Sequence, residues 1–158
     1  MNILCLISKS PEKRWCEFLS KINNYKIYII VDDNNFDLSK FNYEYKKINF
    51  IKIDDEKCKL NGYVNAEFKS DKIVNAWDKA LYYFCKNDIN YNFIWFIEED
   101  VFLPTSKIIY NLDNKYPNGD LLCREHRKIT IKDYKQPIKF VFTNKLITKF
   151  LSGIILNN

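Results

Sequence analysis

Along the chain, short apolar runs that stop at polar clusters alternate with segments whose apolar residues recur every three or four positions. The first run, NILCLIS at residues 2–8, stops at Ser-Lys-Ser-Pro and predicts a buried strand followed by a turn. Pro11 then fits the first turn of a helix with Ser10 as its cap, and Trp15, Phe18, Leu19 and Ile22 follow at helical spacing. A second, β-branched run, YKIYIIV at 25–31, stops at Asp32 and Asp33. In KINFIKID, residues 47–54, period-two alternation sets Ile48, Phe50 and Lys52 on one side and Asn49, Ile51 and Ile53 on the other, which predicts a third strand.

Between about Val64 and Lys86, the residues Ile73, Trp77, Ala80, Leu81 and Phe84 share one helical face. This predicts a long amphipathic helix that starts near Asp71 and buries Trp77. In NFIWFIEEDVFLPT, residues 92–105, Ile94 to Ile97 leave neither face polar, as a central strand covered on both sides requires. Beyond Pro104, SKIIYNLDNKY predicts a short helix capped by Thr105 or Ser106. GDLLC at 119–123 predicts a fifth strand after the Pro117-Asn118-Gly119 turn. The apolar runs of the tail, residues 129–156, select neither helix nor strand. Strands interrupted by helices predict an α/β sheet, at least partly parallel, with helices packed on its faces.

Composition narrows the function classes. A chain of 158 residues with 47% hydrophobic content fits one domain, and with only 3 glycines it holds neither G-x-G-x-x-G nor a Walker A loop. The net charge of +5 is spread among interleaved acids. The densest basic groups, Lys46-Lys47 and Arg124 with Arg127 and Lys128, are short and read as solvated faces, so a nucleic-acid partner is disfavoured. Cysteines 5, 16, 58, 85 and 123 form no C-x-x-C pair and read as reduced; the single His126 completes no zinc set with them. Residues 1–7 lack a basic leader and no apolar run approaches the roughly 20 residues of a membrane span. A soluble, cytoplasmic chain is expected.

Candidate chemistry gathers where the strands end. In an extended chain Glu98 and Asp100 project together, about 6.6 Å apart at a rise of roughly 3.3 Å per residue, and Glu99 points away. Two such carboxylates suit one hydrated divalent cation, and oxygen-only ligands select Mg²⁺ or Mn²⁺, which shares its other positions with phosphate oxygens. Ligands of open α/β sheets bind outside the carboxyl ends of the strands. There Ser8, Lys9 and Ser10, then Asp32 and Asp33, then Glu98 to Asp100 are expected to converge. Strand ends are also polar simply because they meet water, and for Asp32 and Asp33 that account weighs equally. It weighs less for three acids beside buried aromatics, where charge needs an opposite charge.

The apolar strand, the acidic triplet and the renewed apolar residues resemble the D-x-D motif of GT-A fold glycosyltransferases, in the variant Glu98-Glu99-Asp100. SKSPEKRW, NAWDKALYYF and FIWFIEEDVFLP, in that order and spacing, are similar to the amino-terminal glycosyltransferase domain of large algal DNA virus and giant-virus proteins, over about residues 1–125. The resemblance implies a Rossmann-like nucleotide-sugar-binding sheet with helices on both faces. It implies a metal-dependent transferase that takes a sugar from a nucleoside-diphosphate donor, UDP first, and passes it to a hydroxyl of a glycan or other acceptor in the host cytoplasm. By the same resemblance Asp100 ligates Mn²⁺ or Mg²⁺ directly, and Glu98 reaches the ribose, or the metal through water. Asp32 or Asp33, with Ser8, Lys9 and Ser10, meets the nucleoside, and Asp78 or Lys79 faces the diphosphate or sugar; a solvated helix face is the competing account of the last two. Inversion also needs a carboxylate base. Its candidates are Asp113, Asp120 and Glu125, with His126 a further base or metal ligand. GT-A domains are longer than this chain, so residues 126–158 are expected to form an abbreviated acceptor part. The alternatives are a shortened, inactive nucleotide-sugar-binding protein and a basic α/β domain that contacts nucleic acid.

Overall fold

Four of the predicted runs form strands: β1 (Asn2–Ser8), β2 (Tyr25–Val31), β3 (Ile48–Lys52) and β4 (Ile94–Glu98). The computed structural model describes residues 1–64 and 73–119. The predicted fifth strand beyond Gly119 and the whole tail lie outside these residues, as do Cys123 and the basic group at 124–128. All three strand pairings are parallel, in the order β3-β2-β1-β4. Five helices accompany the sheet among the described residues: α1 (Lys13–Leu19), α2 (Ser39–Glu44), α3 (Asp55–Leu60), α4 (Ala76–Lys86) and α5 (Ile108–Lys115).

Because side chains alternate along a strand, each strand feeds two cores. Leu4, Leu6, Ile27, Ile29, Val31, Ile48 and Ile97 pack on one face with Trp15, Cys16 and Leu19 of α1 and Ile109 of α5. Ile3, Cys5, Ile7, Tyr28 and Ile30 pack on the other against Ala80 and Phe84 of α4. Leu4, Leu6, Ile29 and Ile30 are fully buried, and each such side chain contributes about 1.5 to 3 kcal/mol through removal from water. The alternation predicted in β3 also holds: Ile48 and Phe50 join the first core, while Ile51 and Ile53 turn to the other side.

The structure corrects several boundaries. The first helix begins beyond Glu12, whose carbonyl accepts from Trp15 and Cys16; Pro11 is buried just outside it and Ser10 does not cap it. Helix α4 starts at Ala76, not near Asp71, because Asn75 and Asp78 form a reciprocal capping box, each carboxylate or amide oxygen 3.0 Å from the other's backbone nitrogen. Its buried positions are Lys79, Ala80, Tyr82 and Phe84, whereas Ile73 is 49% and Trp77 37% exposed. The apolar content of β4 is matched by packing on both faces, yet β4 is the last strand of the described sheet, with only β1 beside it. The short helices α2 and α3 have no clear apolar period; a side chain caps α3, whereas α2 starts without a side-chain cap, just after a side-chain turn at Asp37. The Asp37 carboxylate accepts from the Ser39 amide and hydroxyl, and that of Asp54 from the Glu56 amide. Past α3 the chain turns through Gly62 at φ 78°, a left-handed conformation that favours glycine.

Cys5, Cys16 and Cys58 are buried and unpaired as disulfides. Burial pushes the Cys16 and Cys58 thiols up to about 11 and that of Cys5 further still. Iodoacetamide at neutral pH is therefore expected to spare these three in the native chain and to modify them after denaturation, with peptide mass mapping as the readout. Native modification of Cys16 at the denatured rate would contradict this packing.

Candidate functional site

The carboxyl edge of the sheet carries a continuous polar band. Ile7 lies opposite Glu98 in the β1–β4 register, so the next residues, Ser8 and Glu99, meet across the two strand ends. The Ser8 hydroxyl donates to Glu99 Oε1 at 2.5 Å, and the Lys9 amide donates to Oε2 at 3.4 Å. The same segment continues toward β2, where the Asp32 and Asp33 amides donate to the Ser8 and Lys9 carbonyls, both at 2.9 Å. Asp33 is further held by its own turn, its carboxylate accepting from the Asn35 amide at 2.8 Å.

Strand β4 ends at Glu98, and the Val101 amide bonds the Glu98 carbonyl at 3.1 Å. Glu99 and Asp100 therefore sit in a tight turn, and the extended spacing that paired Glu98 with Asp100 does not reach them. The three acids are instead separated. Glu98 accepts from the Trp77 indole N–H on α4 at 2.7 Å, and Glu99, expected to point away, is the one drawn to β1. Asp100 is exposed and has no hydrogen-bond or ion-pair partner among the described residues. It borders a hollow of about 310 Å³ that Arg14, Trp15, Phe18, Phe102 and Leu103 also line.

Lys79 behaves neither as a solvated residue nor as one facing a ligand. It is fully buried, with Nζ 3.0 Å from the Asp32 carboxylate, 2.7 Å from that of Asp55 and 3.1 Å from Asn34 Oδ1, and it also donates to the Asp32 carbonyl. Four acceptors exhaust its three protons. Burial disfavours the ammonium, but Asp55 and Asp32 outweigh it and hold Lys79 above the ordinary lysine value, charged at neutral pH. Asn34 closes the network by donating to Asp55 at 2.9 Å. Asp78 is occupied by the capping box. Burial raises its carboxyl, the Asn75 amide opposes that, and the Asp32 charge adds to the rise. Asp55 and Asn34 are not singled out by the sequence, and Trp77 is read there only as a buried helix residue, not as the partner of Glu98. The available signal was the spacing Ala76, Lys79, Ala80, Tyr83, Phe84, which marks the face turned to the sheet once the helix is capped at Asn75.

Asp113 is placed away from this edge and so is corrected as a base candidate. It accepts from Asn2, from the Tyr25 hydroxyl and from the Trp95 indole at 2.8 Å, residues at the amino ends of β1, β2 and β4. Asp120, Glu125 and His126 lie outside the described residues. No three acidic, histidine or cysteine side chains among the described residues are grouped to hold a metal ion. No helix among them is long and apolar enough to cross a membrane. No protein-family model, curated protein or solved structure matches the chain.

Proposed function

We propose that the chain binds a nucleoside-diphosphate sugar along the carboxyl edge of β1, β2 and β4 and transfers the sugar with the aid of a divalent cation. The observation that carries this reading is Asp100, an exposed carboxylate without a partner among the described residues, in the turn beside the point where the sheet extends from β1 in both directions. Such a point is where open parallel sheets take ligands. The D-x-D-like motif that the resemblance rests on is this same turn.

The residues fit a metal shared with substrate. Mg²⁺ and Mn²⁺ are commonly held by one or two carboxylates, with water and phosphate oxygens completing the shell, so a three-residue cage is not required. Asp100 would hold the ion directly; Glu98, drawn to the Trp77 indole on α4, is set apart from it. When bound, the ion supplies positive charge to the diphosphate as it leaves. The chain's own contribution is orientation. Glu99 ties the turn to Ser8 and Lys9, and Asp32 and Asp33 are set beside them by the backbone bonds to β1.

The test is a titration of UDP, with and without Mn²⁺, into the wild-type chain and Asp100→Ala. Mn²⁺ is expected to tighten UDP at least tenfold in the wild type and to leave Asp100→Ala near its metal-free affinity, with no change in melting temperature because Asp100 is exposed. Equal affinity in all four titrations would reject the site. Release of sugar from a UDP-sugar separates transfer from binding alone.

A further inference from the structure

The carboxyl edge holds two kinds of carboxylate. Asp100 has no ion-pair partner among the described residues, whereas Asp32 has Lys79 at 3.0 Å on one oxygen and keeps its side chain 30% exposed. A carboxylate already neutralised by a buried ammonium gains little from a metal ion but remains a good acceptor for neutral hydroxyl donors. It is also immobilised: its backbone amide is tied to β1, and its carbonyl and one side-chain oxygen are tied to α4 through Lys79. An acceptor fixed before the ligand arrives spends little ordering entropy on binding.

We infer that Lys79 is a positioning residue, which fixes Asp32 so that its open oxygen accepts from the ribose hydroxyls of the donor. The ligand then lies with its hydroxylated, uncharged end at β2 and its anionic, metal-bound end at β4. This inference rests on the function proposed above and adds to it a role for a residue that does not touch the ligand. Asp55 and Asn34 complete the device by occupying the remaining ammonium protons, so Lys79 cannot turn to a phosphate itself.

The experiment compares UDP with its analogue lacking both ribose hydroxyls, each with Mn²⁺, on the wild type and on Lys79→Met/Asp55→Asn. That double substitution removes one charge of each sign and keeps Asp32. In the wild type UDP is expected to bind at least tenfold tighter than the analogue. In the double variant, measured where circular dichroism shows it folded, the gap falls below threefold, while the gain from Mn²⁺ is kept. A variant that retains the tenfold gap overturns the positioning role, and so does a wild type that binds both ligands equally. A wild type that binds neither rejects the proposed function itself. The wild type alone also answers through the side-chain ammonium resonance of Lys79. It is expected to shift with UDP and not with the analogue, and an identical response to both overturns the inference even if no variant folds.

Discussion

Lys79→Met is expected to lower the unfolding free energy by about 3 to 5 kcal/mol, with a fall in Tm on the order of 10 °C. The cost does not come from losing a favourable salt bridge as such. Methionine fills much of the same space, but it leaves Asp32 and Asp55 facing each other with no positive charge between them. The effect depends on pH in a defined sense. Lys79 is held above the usual lysine value of 10.5, so its contribution is complete below that pH and is lost as pH rises through the folded-state value. The stability gap between wild type and variant should therefore be constant from neutral pH to about 10 and narrow above it, as read by denaturant unfolding at several pH values. Asp55 adds an acid limb. Burial opposes its charge, but the bonds from Lys79 and Asn34 win, and its carboxyl lies below 3.8. That contribution is present above 3.8 and disappears as pH falls through the lower value; with Asp55 39% exposed, solvent screening keeps it small. A Lys79→Met protein as stable as the wild type at pH 7 would show that the buried network does not hold α3 and α4 to the sheet edge.

Asp113→Ala is expected to cost about 2 to 3 kcal/mol without changing UDP affinity. The Asp113 carboxylate gathers donors from the first residues of β1 and β2 and from Trp95, and so fastens α5 across the amino edge of the sheet. Removing it leaves the Tyr25 hydroxyl and the Trp95 indole without that acceptor, and partial access of water limits the loss. The Tyr25 phenol, pushed up by burial and by the bond to Asp113, should ionise at lower pH in the variant, which ultraviolet titration would record. Loss of UDP binding in a folded Asp113→Ala protein would contradict its placement at the edge opposite the site.

Three strands were legible as apolar runs that stop at polar clusters and β3 by its period-two alternation, and both signals lie within the strand itself. Leu4 and Leu6 face one core and Ile3, Cys5 and Ile7 the other, and no partner needs to be known to read that split. The helices were harder wherever size of side chain and choice of face disagreed. Ile73, Trp77 and Leu81 are large apolar residues at or just before α4, yet all three are substantially exposed, while Lys79 is buried because two carboxylates distant in sequence surround it. The site suffered from the same gap. That acids follow β4 is plain from the sequence, but which acid meets β1 depends on register between strands about ninety residues apart. The tight turn after Glu98 then breaks the alternation on which the pairing of Glu98 with Asp100 relied.

The separated acids bear on how the triplet tolerates change. A D-x-D spelling leaves its middle letter open, but here that letter is Glu99, the one acid of the three bonded to β1. Shortening it to aspartate would withdraw the carboxylate from Ser8, whereas exchanging Glu98 for glutamine keeps an oxygen for the Trp77 indole. Chains that share this arrangement should therefore vary most at the first letter. They should keep a hydroxyl at the end of the first strand, glutamate in the middle and a short acid at the third position.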